Sequence, residues 1–423
     1  MEVRHGYKQT DVGVIPDEWE VDAIGDSFDI SGGFTASRDQ LSSNGYCYLH
    51  YGDIHKSTKS FIDVRAEYLD IPKLDIPLSR VPSKSLLADG DVVFVDASED
   101  DEGTSKHLVV VNPEAIPYIS GLHTIVAKSK TTSFDNTYKR YCFQTPDLRR
   151  QFLFYAVGTK VSGISKTNIK KVFIPRPTIP EQTAIAAALS DVDALFGKLD
   201  QLIGKKRDLR QAAMQQLLTG QIRLPGFHGE WEVKRLGDVA TIRDGTHQTP
   251  KYVASGIPFF SVEHVTSGDF KNTKFISEQE HRFLTRSFKI EKGDILMTRI
   301  GSIGDCKLID WEVDASFYVS LALLKIKPGY SAAYIAHYSK SRSFQREVEL
   351  HSLQSAIPRK INLGPISNVK IELPPTITEQ TAIAEVLSDM DAELTELERR
   401  RDKTRDLKQG MMQELLTGRT RLV

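Results

Sequence analysis

Several short motifs in this sequence begin like catalytic or cofactor-binding motifs, and each departs from the pattern at a residue that the chemistry needs. A phosphate-binding loop places a lysine after its second glycine, but the stretch Gly158–Ser165 has Ile164 there. The run Leu373–Thr376 lacks the polar first residue and the aromatic last residue of an amino-methyltransferase motif. Pro16-Asp17 and Pro146-Asp147 begin like metal-nuclease motifs, yet neither is followed by a convincing acid-x-Lys pair. These patterns predict a chain without catalytic residues.

Metal ligands and disulfides are not indicated either. None of the 11 histidines forms a His-x-x-x-His pair, and the acidic run Glu99–Glu102 lacks the spacing of a calcium loop, so we expect a solvated loop there. The three cysteines, Cys47, Cys142 and Cys306, are far apart and odd in number. Such usage is typical of a protein in a reducing cytosol, with neither a metal site nor a disulfide framework.

Composition places the chain among ordinary globular proteins. It has 423 residues, of which 40% are hydrophobic and 26% charged, enough for two or three domains. The formal net charge is −1, so any nucleic-acid contact must depend on local basic patches rather than on the whole surface. The N-terminal residues lack an apolar signal core, and no run of about 18 apolar residues occurs. We therefore expect a cytoplasmic protein without membrane spans.

One long stretch occurs twice and dictates the architecture. Residues 178–224 and 376–422, displaced by 198 positions, are identical at 27 of 47 aligned positions without a gap. In the first copy Thr178 and Glu181 have the spacing of a capping box, in which the Glu carboxylate reaches back to the cap amide. Gly220 follows Leu-Leu-Thr, where a left-handed residue can end a helix. The second copy repeats all three. Each copy is predicted to be one helix of about 60 Å at about 1.5 Å per residue.

Apolar residues in both copies step by four and three, which is typical of a coiled-coil seam. The predicted seam residues are Ile185, Leu189, Val192, Phe196, Leu199 and Ile203 in the first copy and Ile383, Leu387, Met390, Leu394 and Leu397 in the second. We expect the two helices to pack on each other, because each outruns the core of one modest domain. The alternative is that each helix packs on its own globule.

Fainter repeats frame the segments between the helices. Glu18–Val21 returns as Glu230–Val233, and a Gly-Asp turn before a buried strand occurs at Asp91 and again at Asp294. Within this frame the two halves share little sequence. Mixed strand-like and helical runs predict an α/β (α+β) fold for each globule, and the whole chain then has an internal pseudo-twofold repeat.

These marks predict four segments in the order globule, helix, globule, helix. The boundaries expected from sequence are 1–177 for the first globule, 178–224 for the first helix, 225–375 for the second globule and 376–423 for the second helix.

Together, the opening Tyr7–Trp19, the two Glu-Gln-x-x-Ile-Ala-x-x-Leu-Ser-Asp helix starts and the two Leu-Leu-Thr-Gly ends resemble the specificity subunit of Type I restriction-modification systems. The resemblance covers the whole chain in order. It implies two target recognition domains that each read half of a bipartite, asymmetric site in double-stranded DNA, with an antiparallel coiled coil fixing the gap between the half-sites. It also implies a subunit that is not an enzyme itself and serves in phage defence.

The same resemblance implies partners and cofactors. Two methylation subunits and, in the full complex, restriction subunits are expected to bind this chain. S-adenosylmethionine, ATP and Mg are expected on those partner subunits, and no cofactor is expected on this chain.

Candidates for base or phosphate contact are polar and basic residues in loops near the repeated marks. They are Arg38, Lys106, His107, Ser165 and Lys166 in the first globule, and Arg243, His247, Arg299, Ser302, Arg359 and Lys360 in the second. For any one of them a solvated surface charge is the competing interpretation.

Two other functional classes compete with a DNA reader. A protein-interaction scaffold would use the same coiled coil to join two protein-binding modules, and recovery of a methyltransferase with the chain would argue against it. A fused endonuclease is disfavoured by the missing metal carboxylates.

Overall fold

The computed structural model describes residues 4–98, 106–157, 162–353 and 355–422. The acidic run Glu99–Glu102 and the first glycine of Gly158–Ser165 lie outside the described residues. The chain divides into two compact units, Met1–Leu199 with Arg400–Val423, and Asp200–Arg399. Each unit thus combines one globule with a part of each long helix, and the four segment boundaries predicted from sequence stay a prediction. No helix in the described ranges combines the length and apolar character needed to cross a membrane.

The first unit is α+β. Its strands are β1 (Tyr7–Thr10), β2 (Gly13–Pro16), β3 (Glu20–Ala23), β4 (Phe28–Gly32), β5 (Leu41–Ser42), β6 (Tyr46–Leu49), β7 (Phe61–Asp63), β8 (Lys73–Leu74), β9 (Val92–Val95), β10 (Ala97–Ser98), β11 (His107–Val111), β12 (Tyr118–Ser120), β13 (Thr124–Ser129), β14 (Ser162–Gly163) and β15 (Phe173–Arg176). Its short helices are α1 (Ile24–Ser27), α2 (Tyr51–Lys56), α3 (Lys139–Cys142), α4 (Pro146–Tyr155) and α5 (Lys166–Ile169).

Two main sheets build this globule. One has the order β4-β13-β9-β11-β7 and the other the order β12-β6-β8-β5. The neighbours in the first sheet are antiparallel except β11 and β7, and in the second only β12 and β6 are parallel. β9 is an unbroken run of valines and phenylalanine because both of its faces are buried.

The long helix α6 (Ile179–Leu217) leads from the first globule into the second unit. The strands of that unit are β16 (Glu232–Arg235), β17 (Ala240–Asp244), β18 (Tyr252–Val253), β19 (Ile257–Phe260), β20 (Lys274–Ile276), β21 (Ile295–Thr298), β22 (Cys306–Leu308), β23 (Ser316–Phe317), β24 (Leu321–Ile326) and β25 (Lys370–Leu373). Its further helices are α7 (Leu236–Val239), α8 (Val262–Ser267), α9 (Glu278–Leu284), α10 (Ala332–Tyr338), α11 (Arg342–Leu350), α12 (Leu363–Asn368) and the start of α13 (Ile377–Leu415).

Both globules have the same sheet order despite their different sequences. The order β17-β24-β21-β22 repeats β4-β13-β9-β11, and β18-β20-β19-β23 repeats β5-β8-β6-β12, including its one parallel pair. The first globule adds β7 at one edge. The shared element order means that the Gly-Asp turns at Asp91 and Asp294 lead into equivalent central strands, β9 and β21.

The ends of both long helices confirm the predicted Gly caps and correct the predicted role of the glutamates. Gly220 and Gly418 both have φ of +68°, the left-handed conformation that closes a helix. At the start of α13, Thr376 Oγ1 accepts from the Glu379 amide at 3.2 Å, as a cap should. The Glu379 carboxylate, however, accepts from the Arg223 guanidinium instead of reaching back to the cap amide.

Within each unit the helix segments run antiparallel. In the first unit Asp193 of α6 pairs with Lys408 of α13 at 2.6 Å. In the second unit Lys206 pairs with Glu393 at 2.7 Å, and Arg210 pairs with Asp391. Charged residues beside the apolar seam therefore form ion pairs between the helices.

The predicted seam residues are either buried or partly buried. Those that are buried are Ile185, Leu189, Leu199, Ile203, Ile383, Leu387 and Leu394, and those that are partly buried are Val192, Phe196, Met390 and Leu397. Ile185 and Leu189 belong to the core of the first globule, which also contains Leu415 of α13, so the two packing alternatives are both realised there. Ile383 and Leu387 enter the second core in the same way.

Candidate nucleic-acid interface

In the second globule, Asp244 joins two of the predicted contact residues. Its Oδ2 lies 2.8 Å from His247 Nε2 and 3.3 Å from Arg299 Nη1. Arg299 follows β21 and is only 7% exposed. Burial lowers the pKa of its guanidinium, and the charge of Asp244 opposes that shift. A buried arginine on a carboxylate has a fixed orientation, which base recognition requires.

Gly245 allows this cluster to form beside an open cleft. A Cβ at Gly245 would lie 2.2 Å from the Phe317 carbonyl oxygen, so only glycine fits there. The cleft beside it, of about 200 Å³, is lined by residues that include Asp244, Thr246 and Phe288. Arg243, the last-but-one residue of β17, is exposed and places its guanidinium carbon 6.0 Å from the Phe288 ring centre. Cationic and polar side chains thus surround one concave surface.

The remaining predicted residues of the second globule lie on adjoining loops. The Gly301 amide donates to the Arg359 carbonyl at 2.8 Å, and the Ile361 amide donates to the Arg299 carbonyl at 2.9 Å. Ser302 hydrogen-bonds Asp305, and Arg359 pairs with Glu349 at 2.8 Å across an exposed surface. Lys360 forms a β-bridge with Ile300. The structure therefore brings all six predicted residues of this globule onto neighbouring segments.

In the first globule, Arg38 and Lys106 both contact the short helix α2. Arg38 pairs with Asp53 at 3.3 Å, and Lys106 Nζ donates to the His55 carbonyl. Between them, the Tyr51 ring has His50, His55 and His123 around it at centroid distances of 4.6, 6.1 and 5.5 Å. Burial lowers the pKa of His50, although Asp53 opposes this effect. The cluster supplies aromatic and cationic groups that the sequence reasoning did not name, apart from Arg38 and Lys106.

The expected loop position of His107 is wrong. This residue is the first of β11, and its ring is buried 5.5 Å from Phe94 and 5.3 Å from Phe143, measured between centroids. Its side chain points into the core because β11 crosses the central sheet beside β9. The histidine next to Lys106 therefore contributes to packing, and a base contact by its ring has no support in the structure.

Ser165 and Lys166 lie at the start of α5. Ser165 Oγ accepts from the Asn168 amide at 3.1 Å, so this hydroxyl caps the short helix. Lys166 Nζ lies over Gly32 at the end of β4, where a Cβ would come within 2.3 Å of it. β4 is equivalent to β17 of the second globule. Lys166 therefore extends over the strand end that corresponds to the one carrying Asp244.

Equivalent positions in the two globules carry different charges. Asp96 follows β9 as Arg299 follows β21, and each accepts at its carbonyl from an isoleucine amide, Ile164 at 2.8 Å and Ile361 at 2.9 Å. Asp96 pairs with His123 at 3.3 Å, whereas Arg299 pairs with an acid. The sequence reasoning missed both acids, Asp96 and Asp244, because it considered only basic and polar residues; the adjacency of Asp244 to Arg243 could have indicated one of them.

Within the described ranges, no group of three or more His, Cys, Asp or Glu side chains converges as metal ligands would.

Two α+β globules of one topology, each with polar and charged loops at the ends of equivalent strands, define a protein with an internal structural repeat. Comparison with known proteins agrees: the family model for the Type I restriction modification DNA specificity domain matches residues 16–203 and 228–404. The chain belongs to this family and acts as a DNA sequence-specificity subunit of a type I restriction-modification system. That assignment favours the DNA reader over the protein-interaction scaffold.

Individual relatives match between two thirds and nearly the whole of the chain. A putative type I restriction enzyme MjaX specificity subunit from Methanocaldococcus jannaschii is 24% identical, and the alignment covers 98% of this chain and 97% of the relative. The MjaVIII specificity subunit of the same organism is 25% identical over 67% of this chain and 70% of its own length. The crystal structure of a type I system S subunit from M. genitalium has a TM-score of 0.60 at 14% identity, covering 98% of both chains, which shows the same fold.

Proposed function

We propose that each globule reads one half of a bipartite, asymmetric DNA site. The observation that carries this proposal is the shared framework with unlike side chains: both globules have one sheet order, yet the equivalent positions after β9 and β21 hold Asp96 and Arg299. An acid accepts from cytosine N4, whereas an arginine donates to guanine O6 and N7. Two frameworks of this kind recognise different half-sites, which makes the whole site asymmetric.

Sequence recognition by this chain relies on few cations. The net charge is −1, and Arg38, Arg299 and Arg359 are each paired with a carboxylate. Since phosphate contacts from Lys and Arg supply most nonspecific affinity, the chain alone should bind DNA weakly and with a shallow salt dependence. Further phosphate contacts then come from partner subunits.

We also infer how the chain fits into a larger assembly. The repeated helix sequences offer similar surfaces twice, which supports the binding of two methylation subunits, with restriction subunits joining in the full complex. S-adenosylmethionine, ATP and Mg belong to those partners in this proposal, and this chain has no catalytic residue of its own. The complex acts in the cytoplasm, where its DNA substrate is.

An exchange of one globule tests the half-site assignment. Residues 28–176 are replaced by the equivalent globule of a relative with a known different site, while both helices and the second globule are kept. Single-molecule mapping of methylated adenines in cells that carry the partner subunits gives the recognised site. We expect one half-site to change and the other to remain.

Two results would contradict the proposal. A change in both half-sites would show that the globules do not read independently, and an unchanged site would show that the first globule does not read DNA. A matched exchange of the second globule serves as the control, since it must alter the opposite half-site. Mass measurement of the purified complex tests the stoichiometry, because an assembly that takes only one methylation subunit contradicts two docking surfaces.

A further inference from the structure

Both globules expose apolar side chains at equivalent positions beside the candidate interface. Helix α4 carries Phe154 near its end with 81% of its surface exposed, and α11 ends at Leu350 with 65% exposed. Three residues further on, Val157 and Leu353 are 75% and 41% exposed. A hydrophobic pair retained at the same place in two divergent sequences indicates a use, because exposed apolar surface contributes nothing to folding.

The positions are equivalent because the same backbone contact follows each pair. Val157 exchanges two backbone hydrogen bonds with Gly163, at 2.9 and 3.1 Å. The Leu353 amide donates to the Lys360 carbonyl at 2.9 Å, and these two residues form a β-bridge. In both globules, therefore, an exposed apolar residue lies on one side of a backbone contact, and the residue on the other side is followed by an isoleucine that bonds the candidate interface.

In the second globule, the loop residues 355–359 lie between the two sides of this contact. Ile357 is fully exposed, at 100% of its accessible surface. Two residues later, Arg359 has a half-exposed side chain and accepts from the Gly301 amide through its carbonyl. Arg342 and Arg346 line a shallow cleft together with Arg359 on the neighbouring face of α11. Glu349 lines the same cleft and pairs with Arg359. The exposed Ile357 is thus followed, two residues later, by a half-exposed guanidinium group.

Duplex DNA fits this combination better than a protein partner does. A stable protein interface buries roughly 800 Å² of surface on each partner, which a few side chains on one loop do not provide. Proteins that kink DNA insert Ile, Leu, Phe, Met or Pro between adjacent base pairs while arginine and lysine hold the flanking backbone. Ile357 and Leu353 supply such apolar groups, and Arg359 supplies the cation.

We propose that Ile357, supported by Leu353, is an apolar wedge that enters between two adjacent base pairs of the half-site bound by the second globule. In the bound state Arg359 turns from the exposed Glu349 to the flanking phosphate. This proposal rests on the proposed function, since it assumes that the second globule binds duplex DNA. Partial unstacking at one step makes recognition depend on how easily that step deforms, so the wedge adds sequence preference without a base hydrogen bond.

The test uses the purified complex of the full chain with its methylation partner and its own DNA site. The fluorescent base 2-aminopurine replaces one base at a time in the second half-site, except the adenine that is methylated. In the wild-type complex, fluorescence should rise at one step, because unstacking relieves quenching. Ile357→Ser should abolish that rise and weaken specific binding by about tenfold, whereas Ile357→Leu should preserve both.

Two further variants separate wedge, phosphate contact and general surface effects. Arg359→Ala should reduce the slope of log affinity against log salt by about one unit, while Ile357→Ser leaves that slope unchanged. Leu69→Ser removes an apolar side chain that is 94% exposed in the first globule and should change neither fluorescence nor affinity. Since Ile357 is fully exposed, unchanged melting temperatures will confirm that every variant is folded.

Each remaining outcome overturns the wedge. A wild-type complex without any fluorescence rise, or an Ile357→Ser complex that keeps the rise, shows that the step is not opened by this residue. Loss of the methylation partner from Ile357→Ser on size-exclusion chromatography shows that the loop docks a protein instead. If the wild-type complex fails to distinguish its site from random DNA, the proposed function itself fails. If the complex recognises its site but shows no fluorescence rise, only the wedge proposal fails.

Discussion

Arg421 and Glu181 form an ion pair at 2.9 Å between Nη2 and Oε2, although 240 positions separate them in the chain. Glu181 is buried at the start of α6, and Arg421 follows the Gly cap of α13 in the same unit. The second unit repeats this pair with Glu379 and Arg223, at 2.6 Å between the corresponding atoms. Each unit therefore joins the beginning of one long helix to the residues that follow the end of the other.

Removing either arginine should destabilise its unit, by different amounts. After Arg421→Ala the Glu181 carboxylate still accepts from Trp19 Nε1 at 2.8 Å. The equivalent Trp231 gives Glu379 no such bond, because its Nε1 has no partner among the described residues. Breaking a buried pair by deleting one partner costs about 3 to 5 kcal/mol. We expect Arg223→Ala to lower the free energy of unfolding more than Arg421→Ala does, as measured by urea denaturation.

The control and rescue variants make this prediction specific. Arg419→Ala removes an exposed arginine that lies 3.8 Å from Glu414, and should change stability by less than ~0.5 kcal/mol. Adding Glu379→Gln to Arg223→Ala neutralises the stranded carboxylate and should recover part of the loss. Equal stability of Arg223→Ala and wild type would contradict the assigned role of the pair.

Glycines of the long helices should respond in opposite ways to alanine. A Cβ at Gly197 or Gly204 of α6 would meet no heavy atom within 4 Å, so alanine there should raise the free energy of unfolding by about 1 kcal/mol each. At Gly418, φ is +68° and a Cβ would lie 2.4 Å from Pro16 Cδ. Gly418→Ala should therefore destabilise by at least about 1 kcal/mol.

Urea unfolding of these alanine variants separates helix propensity from cap geometry. Gly220→Ala is the matched case in the second unit, where φ is the same and a Cβ would lie 3.2 Å from the Trp231 ring. It should destabilise as Gly418→Ala does. A stabilising Gly220→Ala would mean that the left-handed cap is not needed.

The sequence was most informative where one local pattern determines one local structure. Leu-Leu-Thr-Gly predicted the Gly220 cap correctly because a left-handed residue needs only its own turn. The role of Glu181 could not be predicted, because its partner Arg421 is brought close only by the tertiary fold.

The globules were less predictable for a related reason. Their common sheet order depends on pairings between distant strands, such as β4 with β13, and the buried strands carry no alternating pattern that fixes a register. The contact candidates fared unevenly. Arg299 and His247 do meet at Asp244, but His107 belongs to the core. The burial of His107 could not be predicted, because a single histidine has no periodicity that shows which way its side chain points.

Stability of the second unit should decrease in mild acid through His337. This ring is 8% exposed, and its Nε2 lies 3.0 Å from Ser388 Oγ. Burial lowers the pKa of His337 from 6.5 to about 4, assisted by the charges of Lys340 and Arg210 and opposed by Asp391. The unfolded chain binds this proton and the folded chain does not, so the free energy of unfolding falls as pH drops from about 6.5 to about 4, by roughly 3 kcal/mol at most.

Urea unfolding at pH 7.5, 6 and 5 measures this effect. His337→Gln cannot titrate and keeps a polar group near Ser388, so it should flatten the pH dependence in that window. His228→Gln, at an exposed loop position, is the matched control and should preserve it. If His337→Gln and wild type lose stability in parallel, another group is responsible.

The residues after β9 and β21 should each control one base position. Arg299→Ala removes a buried donor whose orientation Asp244 fixes, so discrimination at one position of the second half-site should fall by about 1 to 3 kcal/mol. Asp96→Asn keeps the shape of the acid but replaces one acceptor oxygen by a donor, so it should alter preference at one position of the first half-site. Competition binding with each position randomised in turn measures both effects.

The two variants control each other because they lie at equivalent positions of different globules. Loss of the Arg299 guanidinium leaves Asp244 without that partner, so Arg299→Lys, which keeps the charge, distinguishes a lost base contact from a weakened fold. If Arg299 contacts a base, the lysine variant binds and folds but discriminates less, since lysine cannot reproduce the planar two-donor geometry. Uniformly weaker binding to all sequences would identify a phosphate contact instead, and a change in the half-site of the other globule would show that the two positions do not read DNA independently.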